Sequence, residues 1–227
     1  MSSIEENLIA VRRRVNEAAE RADRDPSSVR IIGVSKTVGR DAVNRAYAAG
    51  LRDFGENRVP DALAKFSDPL PADATLHLIG YLQTNKARDA ISLFPIIHSV
   101  DRPHLIEALE HRAAAAGKPV KVMIQVNIAG EEQKHGCEPE QAFDLAGRII
   151  EAENLDLIGL MTIAPQVDDA EMTRPVFSGL RELRDELQQR LGHQLPELSM
   201  GMTNDFEVAV AEGATMVRVG RAIFVEN

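Results

Sequence analysis

The chain has 227 residues, 44% of them hydrophobic and 27% charged, a composition suited to a soluble folded protein with a large core. Its formal charge of −9, from 26 Lys and Arg against 35 Asp and Glu, argues against a generic binder of nucleic acid or of anionic membranes, since both need a positive face. A single cysteine, Cys137, excludes an internal disulfide framework and a cysteine-cluster metal site and fits a reducing, cytoplasmic location. The charged N-terminal stretch lacks the apolar run of a signal peptide. No segment reaches the apolar length needed to cross a bilayer. With no Trp and only Tyr47 and Tyr81, a stacking surface for single-stranded nucleic acid is not expected.

In chain order, the pattern begins with an amphipathic helix from about Ile4 to Arg24, ended near Pro26. Short apolar runs then alternate with longer helical ones. Strands are predicted at Val29–Ser35, Leu51–Phe54, Thr75–Ile79, Ile96–Val100, Val120–Val126, Leu155–Met161, Leu198–Met200 and Met216–Val219. Most are apolar on both faces, as parallel strands covered by helices are. Helices are predicted at Arg40–Ala49, Arg58–Phe66, Thr84–Leu93, Pro103–Ala116, Pro139–Ala152, Asp169–Leu191 and Asp205–Glu212. Gly50, Gly117, Gly192 and Gly213 stand where helix C-termini need glycine. Eight strands with seven interior helices predict an α/β fold, a TIM (β/α)8 barrel spanning residues 1–227 as one domain. The N-terminal helix, residues 1–26, is expected to supply the eighth outer helix. An open doubly wound sheet is the alternative; no G-x-G-x-x-G follows the first strand to support it.

The active end of such a barrel lies at the C-terminal ends of its strands. Read in order, those ends carry Ser35-Lys36-Thr37, Gly55-Glu56-Asn57, His77 with Gly80, Ser99-Val100-Asp101, Gln125 with Asn127, Met161-Thr162, Ser199 to Asp205, and Arg218-Val219-Gly220-Arg221. Helix capping accounts for Asp101, Thr84 and Thr203. It does not account for Lys36, Asn57 or Arg218.

Lys36 directly follows an apolar strand and is expected at the barrel mouth with its stem buried. An ammonium partly desolvated beside other cations gives up its proton more readily, and a neutral amine can form a Schiff base with an aldehyde. Position alone equally allows a surface lysine. The segment Gly201-Met202-Thr203-Asn204-Asp205 opens a helix, so its N–H groups and the Thr203 hydroxyl suit a phosphate. The turn through Gly220 adds N–H groups without a Cβ in the way. Loops after strands seven and eight are the usual phosphate position in these barrels. An aldehyde-reactive amine opposite a phosphate cradle selects pyridoxal 5′-phosphate (PLP) as the cofactor.

The remaining candidates carry less. His77 and His98 read as buried structural histidines, and their spacing makes no metal pair. Asp168, Asp169 and Glu171 read as a helix N-terminal acidic cluster. Met161, Met200, Met202 and Met216 read as core and pocket walls. Cys137 is either a reactive thiol or an ordinary loop cysteine. Lys134, in the charged loop Glu131–Gly136, either touches a ligand or partner or is solvated.

On these residues the chain resembles the pyridoxal phosphate homeostasis proteins, relatives of the N-terminal barrel of alanine racemase. The matching stretches are Gly33–Thr37, Phe54–Asn57, His77–Gly80, Leu82–Lys86, Gln125–Ile128, Lys134–Gly136, Gly159–Ile163, Ser199–Asp205 and Met216–Phe224. The resemblance implies PLP linked as an aldimine on Lys36. It implies phosphate contacts from Thr203, Gly220 and Arg221, Arg218 beside the pyridine nitrogen, and Asn57 in the cofactor pocket. Met161 and Met202 are expected to line that pocket. Two departures are visible: Tyr81 replaces a frequent Pro, and Val38 follows Thr37 where some relatives carry a second Lys. The second removes one candidate lysine for handing the cofactor on.

The rival expectation is an amino-acid racemase of low activity. Racemases of this fold pair the lysine with a tyrosine from an additional β-domain that also dimerises, and this sequence ends at Asn227, just past the last strand. An arginine that keeps its proton leaves the pyridine nitrogen unprotonated, which weakens carbanion chemistry and leaves Schiff-base exchange untouched. The expectation is therefore a non-catalytic PLP carrier serving vitamin B6 homeostasis. It is expected to be a monomer, with PLP-dependent enzymes as acceptor partners and no nucleic-acid or membrane partner.

Overall fold

The computed structural model describes residues 3–131 and 133–225; Glu132 of the charged loop and the terminal residues 1, 2, 226 and 227 lie outside them. Helix α1, Ile4–Arg21, starts on a capping box in which the Ser3 hydroxyl accepts from the Glu6 N–H at 3.2 Å and the Glu6 carboxylate accepts from the Ser3 N–H at 2.8 Å. Ile4, Leu8, Val11, Val15 and Ala18 recur at helical spacing and form its buried face. The helix ends at Arg21 rather than Arg24, because Asp23 turns the chain at φ +54° and the Arg24 N–H closes back on the Ala19 carbonyl at 2.9 Å; the Arg24 guanidinium then reaches the Val210 and Ala214 carbonyls.

Eight parallel strands follow: β1 Arg30–Val34, β2 Asp53–Glu56, β3 Thr75–Leu78, β4 Ile96–Val100, β5 Val120–Gln125, β6 Leu155–Met161, β7 Glu197–Met202 and β8 Met216–Val219. They pair in sequence order and close between β1 and β8, with Ile31 opposite Val217. The chain is thus an α/β barrel, as its alternating pattern predicts. The outer helices are α2 Arg40–Ala48, α3 Val59–Lys65, α4 Ala87–Leu93, α5 Pro103–Ala116, α6 Ala142–Glu151, α7 Arg174–Leu191 and α8 Phe206–Ala211. One more, α9 Arg221–Phe224, is a single turn after β8 that the sequence pattern did not mark. Helix α1 packs on α2, α8 and α9 and so fills the eighth outer position.

Two strands sit differently from expectation. β2 runs to Glu56 instead of ending at Phe54, because Glu56 is buried and paired inside and Leu51 belongs to the turn after α2. β7 extends to Met202, carried through Gly201 at φ +89°. A side chain at Gly201 would also meet Ala209 Cβ at 2.5 Å, so only glycine lets α8 fold back this tightly.

The main core lies between strands and helices. A second apolar cluster, Ile32, Met123 and Met216, joins strands on opposite sides of the ring and therefore sits inside the barrel. Beside it the interior also carries the buried polar side chains His77, His98, Ser199 and Arg218, where barrels of this kind usually pack branched apolar residues.

Candidate functional site

At the C-terminal end of the strands is a cavity of about 510 Å³. It is lined by Lys36 and Thr37 after β1, Asn57 after β2, Met202–Asp205 after β7, and Arg218, Gly220 and Arg221 at the end of β8. Seven of the eight residues expected from the sequence therefore meet in one place. Met161 does not: its side chain is fully buried at the end of β6 and is not part of the lining. The wall on that side is built by Ile163, Pro165, Gln166 and Val167 instead. The long link from β6 to the 3-10 turn Ala170–Thr173 was the available signal, since connections in these units are usually two to six residues.

Lys36 is exposed at the rim, not sunk by its stem as expected. Its backbone is nevertheless fixed. Ser35, just before it, donates its N–H to the Gly55 carbonyl at 3.0 Å and its hydroxyl to Glu56 Oε1 at 2.7 Å. The Lys65 ammonium, from α3, donates to the Ser35 carbonyl at 2.6 Å and to Glu56 Oε1 at 2.7 Å. A buried ion pair thus clamps the chain one residue before the amine.

The loops after β2 and β3 meet at Gly80. A Cβ there would lie 2.2 Å from the Asn57 carbonyl oxygen, so glycine is what lets Asn57 take its place on the cavity wall. Val34 backs Gly220 with its carbonyl oxygen 3.2 Å from where a Cβ would stand. The first N–H groups of α9 have no acceptor within their own helix, and the half-buried Thr203 lines the same cavity as Gly220 and Arg221. A short extra helix after the last strand is the recurrent phosphate site of TIM barrels. Asp205 also borders the cavity, but its carboxylate accepts from the Met202 N–H at 2.5 Å and so holds the turn. Burial raises its pKa.

Arg218 is 4% exposed and forms the polar floor. It donates through Nη1 to Ser199 Oγ at 2.7 Å and through Nη2 to the Thr162 carbonyl at 2.8 Å. Burial lowers its pKa to about 10, while Asp205 acts in the opposite sense, so the guanidinium is still charged at neutral pH. Lys36, Arg218 and Arg221 therefore concentrate positive charge at one mouth of a protein whose net charge is −9, which favours a small dianion.

Several candidates lie elsewhere. Cys137 is buried, its backbone joined to β5 through Gln125, and burial pushes its thiol up to about 12; it is a structural cysteine. Lys134 is ion-paired with Glu131. Asp169 caps the 3-10 turn through the Glu171 N–H at 3.0 Å. Tyr81 stacks on His135 with ring centres 4.2 Å apart and does not line the cavity. Tyr47 donates to Asp73 at 2.6 Å. Among the described residues, no helix is long and apolar enough to cross a membrane.

The closed parallel barrel is of the alanine racemase N-terminal domain class: residues 7–227 match the family described as "Alanine racemase, N-terminal domain". The pyridoxal phosphate homeostasis protein of Aquifex aeolicus is 43% identical over 98% of this chain and 97% of its own length. PipY of Synechococcus elongatus, whose structure has been solved with PLP bound, is 39% identical, with a TM-score of 0.86 over 98% of this chain and 100% of that one. An alanine racemase of Clostridium difficile shares the fold, with a TM-score of 0.74 at 14% identity over 57% of its length. The chain belongs to the pyridoxal phosphate homeostasis protein family.

Proposed function

We propose that this chain holds and releases pyridoxal 5′-phosphate and serves vitamin B6 homeostasis as a carrier rather than as an enzyme. The observation that carries this reading is that the Lys36 amine shares one cavity with Thr203, Gly220, Arg221 and Arg218. Its volume, about 510 Å³, lies in the range of small-cofactor sites. The residues fit the group: a cationic floor, a cradle free of side-chain obstruction at Gly220, and an amine at the rim. The name of the Aquifex aeolicus relative and the PLP bound to PipY support the same ligand.

Bound PLP supplies an aldehyde. Toward that aldehyde the Lys36 amine would be the group able to form a reversible Schiff base, with loss of water on formation and return of the amine on hydrolysis or exchange. Thr203 and the N–H groups at Gly220 and Arg221 would hold the phosphate, Asn57 and Met202 would line the ring's side of the cavity, and Arg218 would face the ring nitrogen. A guanidinium in that place remains the proton donor and keeps the nitrogen unprotonated. The ring is then a weak electron sink, which suits storage more than carbanion chemistry. Racemisation also needs a second base, and no tyrosine is among the residues lining the cavity.

Purified protein given PLP is expected to develop a visible absorbance band, and borohydride should fix the adduct on the peptide holding Lys36. Lys36→Ala should abolish both. A colourless wild-type protein, or an adduct retained by Lys36→Ala, overturns the assignment. Fast Cα deuteration of L-alanine in D2O by the loaded protein overturns the carrier reading in favour of the racemase.

A further inference from the structure

Five side chains cross the barrel interior in one unbroken line. Arg218 Nη1 meets Ser199 Oγ at 2.7 Å, and Ser199 Oγ meets His98 Nδ1 at 2.9 Å. His98 Nε2 meets His77 Nδ1 at 2.9 Å, and His77 Nε2 meets Asp53 Oδ1 at 2.9 Å. The line starts at the cavity floor on β8, passes through β7, β4 and β3, and ends at the first residue of β2, at the opposite end of the barrel. Ser199, His77 and His98 are fully buried.

The protons on this line have one self-consistent arrangement. The Asp53 carboxylate can only accept, so a neutral His77 carries its proton on Nε2 and leaves Nδ1 bare. His98 then donates from Nε2, and its bare Nδ1 takes the Ser199 hydrogen, while Ser199 accepts from the Arg218 guanidinium, which can only donate. Every link points away from Arg218, so each member turns a lone pair toward the cation, and the series closes on an anion. Burial lowers the pKa of both imidazoles, His98 far more, which keeps them neutral. The charges that face them are Asp53, Arg30 and Glu197 on the lower side and Arg218 on the upper; Arg30 and Glu197 are paired with each other.

We propose that Asp53, His77, His98 and Ser199 are positioning residues for Arg218: a one-way hydrogen-bonded chain that holds the guanidinium at the cavity floor as a fixed, charged donor. The bonds Arg218 makes here go to two neutral oxygens, Ser199 Oγ and the Thr162 carbonyl. A buried cation placed on neutral acceptors is costly unless those acceptors are polarised toward it. The chain supplies that polarisation from a carboxylate across the barrel. The role given to Arg218 rests on the PLP reading above, whereas the proton arrangement is a property of the protein alone.

The first test is therefore made on ligand-free protein. Nitrogen-15 spectra of labelled histidine should show His77 and His98 both protonated on Nε2 and bare on Nδ1, with no change between pH 8 and pH 6. An Nδ1–H form of either, or titration near the ordinary imidazole value of about 6.5, overturns the proposal. The second test cuts the anionic end. Asp53→Asn keeps an acceptor for His77 but removes the charge, and is expected to weaken PLP binding by about threefold to tenfold. In an Arg218→Lys background the same change should add nothing. Additive losses, or an Asp53→Asn protein that binds PLP as the wild type does, overturn the chain's role. Wild-type protein that binds no PLP overturns the cofactor reading instead, and the nitrogen-15 spectra then decide the proton arrangement.

Discussion

The clamp beneath Lys36 yields the sharpest quantitative expectation. Glu56 and Lys65 have side chains 1% and 12% exposed, and their charged atoms lie 2.7 Å apart. Lys65→Met keeps much of the stem's length and removes only the ammonium. Glu56 is then left as a buried carboxylate whose remaining partner here is the Ser35 hydroxyl. Breaking one side of a buried pair costs about 3–5 kcal/mol, mostly because the other charge is stranded. For a chain of this size that corresponds to a fall in Tm of roughly 6–20 °C. Glu56→Gln together with Lys65→Met removes both charges, and the double variant should recover a substantial part of the loss. Urea unfolding of the two single variants and the double variant measures the cycle. A Lys65→Met cost below about 1 kcal/mol, or a double variant costing the full sum of the singles, would refute the stranded-charge reasoning. The Ser35 carbonyl also loses its partner in Lys65→Met, so PLP affinity should fall while borohydride still labels Lys36.

Two further expectations concern stability. His77 and His98 are held neutral by burial, so their folded pKa values lie below the unfolded one of about 6.5. The unfolded chain then binds more protons, and stability is lost as pH falls below about 6.5, with a slope approaching 1.4 kcal/mol per pH unit for each histidine. A denaturation midpoint that stays flat from pH 7 to pH 5 would contradict this. Gly201→Ala places a side chain at φ +89° and 2.5 Å from Ala209 Cβ, so a loss of roughly 2 kcal/mol or more is expected, together with weaker phosphate binding. Thermal unfolding with and without inorganic phosphate checks it, and a wild-type midpoint would show that the turn tolerates a Cβ.

The sequence by itself determined the alternation of strand and helix, and hence the barrel, because helices need a single apolar stripe, whereas strands with helices on the outside and the barrel interior on the inside have no solvent-facing side. It also placed Lys36, Asn57, Thr203, Arg218, Gly220 and Arg221 at strand ends, since in a barrel one end of every strand is the same end of the molecule. What it could not carry was anything set by which strands face each other across the ring. His77 and His98 read singly as buried histidines, yet they touch each other, and His98 reaches Ser199, 101 residues away. Met161 read as a pocket wall because strand order says where a residue ends and not which way its side chain turns. Lys36 read as half-buried for the same reason, and α9 was missed because one turn is too short for a period to show. The tertiary structure decided these points, because closing the sheet brings distant strands within hydrogen-bond distance and fixes every side chain as pointing inward or outward.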